Sequence, residues 1–247
     1  MTKTINADLG EGIGLHAFGN DPELMTLIDV ANVACGFHAA DPHIINTTVE
    51  LAAENQVKVG AHPGLPDLAG FGRRPMVLSA DEVEDIVTYQ VGALTAFLDR
   101  HDLRLNHIKP HGALYGMVGR DPELMAAVAR VALVHGVPVF GLANTAHKTV
   151  CDELGVPFVA EIYVDLGYDA EGRLVIERAP QPAVPAEAAA RITSAMTDGT
   201  IRANDGTELT VDFDSVCVHS DPANAADVVR AVRAAIDAAE EEDADSR

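Results

Sequence analysis

VANVACGFHAADPHIINTTVELAAENQVKVGAH, residues 30–62, contains the unit whose reading decides the fold. An apolar, β-branched run ends near Gly36, and Asp41-Pro42 then opens a helical pattern that continues to about residue 55. A second apolar run begins at Val57 and stops at His62. Strand, helix and strand in this order imply two parallel strands joined by a helical crossover. Working outward, strand-like segments stand at 3–8, 30–36, 57–62, 104–109, 138–143, 157–165 and 214–219. Helical patterns lie between most of them, at 22–29, 42–55, 80–100, 122–135, 145–154, 186–198 and 222–241. Asp21, Asp41, Asp121 and Asp221 each precede a proline, which predicts a capping aspartate with proline in the first turn. Uninterrupted alternation predicts a single α/β domain over 1–247, a (β/α) barrel of seven strands; an open doubly wound sheet is the alternative. DAEGR (169–173) and ANDGTE (203–208) read as hairpin turns, so a small β excursion is expected within 169–213.

Composition narrows the function classes. Seventeen basic residues stand against 38 acidic ones, a formal charge of −21. The last eight residues, EEEDADSR, carry five acids and one base, so they account for −4 and read as a frayed, solvated tail. An acidic surface repels phosphate backbones, which disfavours nucleic acid. No apolar run approaches the ~20 residues of a spanning helix, and the N-terminus lacks a signal core, so no membrane association is expected. Three widely spaced cysteines, Cys35, Cys151 and Cys217, predict no disulfide framework, a reducing cytoplasmic setting and small buried side chains. GxxxxGK[ST] and GxSxG are absent, and GEGIG lacks the spacing of a Rossmann fingerprint.

Polar residues collect at strand ends, where parallel β/α folds build their sites. Asn6 and Asp8 share one face of the first strand, with Glu11 just beyond. His38 and His62 follow the second and third strands, and Lys109 with His111 the fourth. Glu161, Tyr163 and Asp165 share a face of the sixth, and His219 ends the seventh. Singly, each has a plain structural use: a hydrogen-bonding histidine, a capping aspartate, a surface lysine. Together they have no structural reason to choose one rim, and they predict an active site. Asp8, His38, His62, Lys109, His111 and Glu161 are the catalytic candidates; Asn6, Glu11, Arg73, Arg74, Asp165 and His219 are the candidates for binding substrate. Asp8, His38 and His62 are suitable ligands for a divalent metal. The same groups equally suit acid–base work on an amide or ester carbonyl. Lys109 is expected to face the barrel mouth as a cation for carboxylate or phosphate, removable with loss of turnover and an intact fold.

The motifs NADLGEG (6–12), ANVACGFHAADP (31–42), GAHPGLPDLAGFGRRPM (60–76), YQVGAL (89–94), HIKPHGALY (107–115) and CVHSD (217–221) resemble the LamB/YcsF family, the A components of prokaryotic 5-oxoprolinase, nearly end to end. The resemblance implies a seven-stranded barrel related to glycoside hydrolases and deacetylases. It also implies ATP-dependent hydrolysis of the lactam 5-oxoproline to glutamate, performed with partner subunits B and C. Two other readings stay open: a metal-dependent hydrolase of another lactam or an acetylated carbohydrate, and a subunit that binds partners without catalysing. Each is compatible with a homo-oligomer. The chain departs from the family pattern at Leu166, where an arginine is usual, at Ser220 in CVHSD, and around 178–185.

Overall fold

A computed structural model of the chain describes residues 2–175 and 182–245. Its elements in chain order begin β1 Thr4–Leu9, α1 Asp21–Met25, β2 Val30–Ala34, α2 Pro42–Glu54, β3 Lys58–His62 and α3 Ala80–Arg100. β4 Leu105–Ile108, α4 Gly112–Val118, α5 Pro122–His135, β5 Val139–Gly141, α6 Ala146–Leu154 and β6 Phe158–Tyr163 follow. The chain continues through β7 Gly167–Tyr168, β8 Leu174–Val175, α7 Pro185–Thr197, β9 Thr200–Arg202, β10 Glu208–Thr210, β11 Ser215–His219 and α8 Ala225–Asp245. The strands β1–β6 and β11 close into a parallel barrel in the order β1-β11-β6-β5-β4-β3-β2. This is the expected seven-stranded barrel, and the open-sheet alternative is excluded. The two expected hairpins are β7–β8 and β9–β10, both antiparallel. The departure at 178–185 lies partly outside the described residues.

Local chemistry explains the boundaries. Asp41 accepts from the N–H groups of His43 and Ile44, and Asp121 from those of Glu123 and Leu124, satisfying donors that a helix start leaves open. Ser79 and Glu82 form a reciprocal capping box on α3. The other two Asp-Pro pairs correct the sequence reading. Asp21 sits inside α1 and accepts from Gly10 N–H, while Asp221 precedes α8 by four residues and faces Arg73. Sequence periodicity also passed over α4, whose seven residues include Gly112 and Gly116 and are too short to show a stripe. In α3 the buried residues Val83, Val87, Val91, Leu94 and Leu98 recur every three to four positions and face the barrel. No helix among the described residues is long and apolar enough to cross a membrane.

The alternation within β1 positions the site. Ile5, Ala7 and Leu9 join the apolar layer, while Asn6 and Asp8 bond to groups from other strands across the interior. Between β3 and β4 the register shifts, from Val59 opposite Leu105 to Ala61 opposite Ile108. The irregularity aims His107 inward. A Cβ on Gly60 would lie 2.0 Å from its ring, so only glycine fits there.

Candidate active site

Six of the seven strands bring a polar network to one end of the barrel. Lys109, 1% exposed, donates toward Asn6 Oδ1 at 3.1 Å and Asp8 Oδ1 at 3.2 Å, and its Nζ lies 3.2 Å from Glu161 Oε2. Its Nζ also approaches Cys217 Sγ at 2.9 Å. Asn32 donates to Asn6 Oδ1 and Asp8 Oδ1, both at 2.8 Å. The Tyr163 hydroxyl donates to Glu161 Oε1 at 3.2 Å. Burial alone would neutralise such charges, but they compensate one another. Burial pulls the Lys109 pKa down, yet Asp8, Cys217 and Glu161 together raise it well above the ordinary lysine value. Burial pushes Asp8 up, yet His62 and Lys109 bring it well below the usual carboxylate range. The result is a buried ammonium and an ionised Asp8.

This overturns the reading of Lys109 as a cation at the mouth. Its charge is engaged by buried carboxylates, so its removal would strand them rather than leave the fold intact.

Above the network, a cleft is lined by Asp8, His62, His111, His219, Arg73 and Tyr163, with Leu166 and Leu174 as an apolar wall. His62 Nε2 lies 3.2 Å and His219 Nε2 3.6 Å from Asp8 Oδ2. His38 stacks on His111, with centroids 3.7 Å apart and planes 3° apart, and contacts Glu11 Oε1 at 3.2 Å. Gly72 permits this stack: its φ is 62°, and a Cβ there would come within 2.7 Å of His38 and 2.9 Å of His111.

The candidates therefore divide by position. Asp8, His62, His111, His219 and Arg73 face the cleft. Asn6, Glu11, His38, Lys109, Glu161 and Asp165 hold those groups from behind. Arg74 is turned away, a correction to its expected role: Asp67 takes it in a bidentate pair, and its side chain is 60% exposed. The metal set is also regrouped. His38 and His62 fall with Glu11 and His111, whereas Asp8 falls with Cys217 and His219; the first group is buried and able to hold a metal. Asn32 and His107 were missed, although an asparagine in the apolar run VANVA was a visible signal. His107 Nε2 lies 2.7 Å from Asn32 Oδ1.

Asp165 orients His219, accepting from its backbone N–H at 2.6 Å and contacting Nδ1 at 3.0 Å. Burial lowers the His219 pKa, but Asp165 outweighs it and raises the value from 6.5 to about 9. A pKa raised on folding stabilises the protein fully below the unfolded value and loses that contribution as pH rises through the folded value. Urea unfolding of the wild type should therefore show about 3 kcal/mol less stability from this group above pH 9 than near pH 6.5. Asp165→Asn should flatten that limb. An unchanged pH slope in the variant would refute the pairing.

A family model for the LamB/YcsF family matches residues 4–246. The lactam utilization protein lamB of Emericella nidulans is 45% identical over 237 residues, covering 94% of this chain and 93% of that protein. The A component of 5-oxoprolinase from Bacillus subtilis is 38% identical over 239 residues, covering 95% and 93%. The crystal structure of a lactam utilization protein from Thermus thermophilus superposes with a TM-score of 0.88 at 42% identity, covering 97% of this chain and 98% of that one. A putative cellobiose-phosphate cleavage protein from Enterococcus faecalis, at 12% identity and a TM-score of 0.55, shares the fold alone. With a barrel of the expected strand count and matches spanning nearly its whole length, the chain belongs to the LamB/YcsF family.

Proposed function

We propose that this chain is the A component of an ATP-dependent 5-oxoprolinase, hydrolysing 5-oxoproline to glutamate as ATP yields ADP and phosphate. Subunits B and C are its partners, and the relatives named as 5-oxoprolinase A components support that assignment. The observation that carries the chemistry is one ionised carboxylate, Asp8, flanked by His62 and His219 on the floor of the cleft. A lactam is a stable amide, so attack by water needs a base, an activated carbonyl and a protonated leaving nitrogen. Asp8 is the base, ATP supplies the carbonyl activation, and cationic His219 supplies the proton. Arg73, which also reaches Asp221 at 3.5 Å, brings positive charge to the cleft for the substrate carboxylate. Leu166 and Leu174 suit the ring methylenes, so Arg73 takes over the carboxylate where an arginine at 166 is usual in the family. Three buried free cysteines fit a reducing cytoplasm.

A second reading, metal-assisted amide hydrolysis by this chain alone, is favoured by the convergence of Glu11, His38, His62 and His111. Glutamate release should require this chain, subunits B and C, and ATP together. Hydrolysis of a lactam or N-acetyl substrate by the chain alone would replace the first reading with the second. A reconstituted B–C pair that turns over fully without this chain would leave it a non-catalytic member of the complex.

A further inference from the structure

Two imidazoles meet edge to edge beside the cleft floor. His62 Nδ1 lies 2.8 Å from the carbonyl oxygen of Lys109, and His111 Nε2 lies 2.8 Å from that of Phe71. A carbonyl oxygen only accepts, so both of those ring nitrogens carry hydrogens. In neutral rings the inner nitrogens, His62 Nε2 and His111 Nδ1, are then bare lone pairs, and they face each other at 2.9 Å. Two carboxylate oxygens close the group: Glu11 Oε1 is 3.3 Å from His111 Nδ1, and Asp8 Oδ2 is 3.2 Å from His62 Nε2. All four residues are buried. Acceptors gathered out of water around one point repel unless a cation joins them.

We propose that His62 Nε2, His111 Nδ1 and Glu11 Oε1 bind one divalent transition-metal ion of the zinc class, on the side of the cleft where Asp8 stands. Three features specify it. Tetrahedral bonds of about 2.0–2.1 Å set neighbouring donor atoms roughly 3.3 Å apart, close to the 2.9 and 3.3 Å separations of this set. Both histidines already give their outer N–H to a main-chain carbonyl, the support that fixes the tautomer of metal-binding imidazoles. Two imidazoles with one carboxylate suit borderline metals, whereas calcium and magnesium prefer all-oxygen sets. His38 is not a ligand in this assignment. An imidazole lone pair lies in the ring plane, and rings stacked in parallel 3.7 Å apart share no in-plane point. His38 instead holds Glu11, which it contacts at 3.2 Å. The metal site does not depend on the lactam reading, because binding is measured on the purified chain without ATP or partners.

The test uses the full chain treated with chelator, then titrated with Zn²⁺ by calorimetry and with Co²⁺ by visible absorption. One equivalent should bind per chain, and Co²⁺ should show the bands of a low-coordinate nitrogen–oxygen site. His62→Asn keeps an amide N–H for the Lys109 carbonyl, and His111→Gln keeps one for that of Phe71. Each removes only the inner nitrogen, and each should weaken Zn²⁺ binding by at least about 100-fold. His38→Ala should weaken it less than either. Absence of a stoichiometric equivalent would mean that the nitrogens share a proton instead, and would overturn the assignment. Binding unmoved by both substitutions would place the ion on the acidic surface and overturn it equally. If either variant fails to fold, wild-type imidazole resonances decide: Zn²⁺ must shift those of His62 and His111, and unchanged resonances reject the site.

Discussion

Asp8→Asn should lower turnover in the reconstituted complex by about 10²–10⁴-fold, the range for deleting a positioned general base. The substitution is nearly isosteric, and an asparagine oxygen can still accept from Asn32 and Lys109, which both reach Oδ1. What disappears is the anionic Oδ2 facing His62 and His219. The loss should fall on kcat, since Arg73 and the apolar wall that hold the substrate are untouched. Steady-state glutamate release with B, C and ATP measures it. Turnover within tenfold of wild type would remove Asp8 from the chemistry.

Lys109→Ala should damage both stability and rate. Asp8 and Glu161 each approach Nζ at 3.2 Å in a fully buried setting. Removing the ammonium leaves two buried carboxylates without their shared cation, a loss of about 3–5 kcal/mol. For a chain of this size that lowers Tm by roughly 10 °C. On the fraction that stays folded, turnover should fall at least about 100-fold, because Asp8 loses one of the two groups, His62 and Lys109, that chiefly hold it ionised. Thermal unfolding and single-temperature kinetics on the folded variant separate the two effects. A variant with wild-type Tm would contradict the buried network, and one with wild-type turnover would contradict its link to catalysis.

The legibility of the site differed residue by residue. Asp8, His62 and His219 stood out because each breaks an apolar strand at its C-terminal end, and His111 because it follows one, at the end that faces the barrel mouth. Lys109 stood out for the same reason, but a strand-end position does not reveal depth. The chain places it before Pro110, and only the closed barrel puts carboxylates from β1 and β6 around it. Cys217 was correctly read as buried, yet its sulfur is a partner of Lys109 and not merely a filler. Arg73 and Arg74 are neighbours with the same chemistry. Asp67 engages one of them and the cleft receives the other, a choice made by the fold of one loop.

The alternation of strand and helix, the parallel α/β class and the strand ends that carry the chemistry were determined by the sequence alone. These follow from period-two and period-3.6 patterns, which are local and survive in any parallel arrangement. Closure into a barrel excluded the open sheet only in the structure. Pairings within the site were decided only by tertiary structure. Closure sets β1 between β11 and β2, with Asp8 opposite His219 on one side and Asn32 on the other. The same closure brings His62 and His111, 49 residues apart, nitrogen to nitrogen at 2.9 Å. A carboxylate or imidazole in sequence carries its chemistry but not its partner. Burial and a neighbour a few ångströms away, fixed by strand register around a closed barrel, decide which proton or cation it holds.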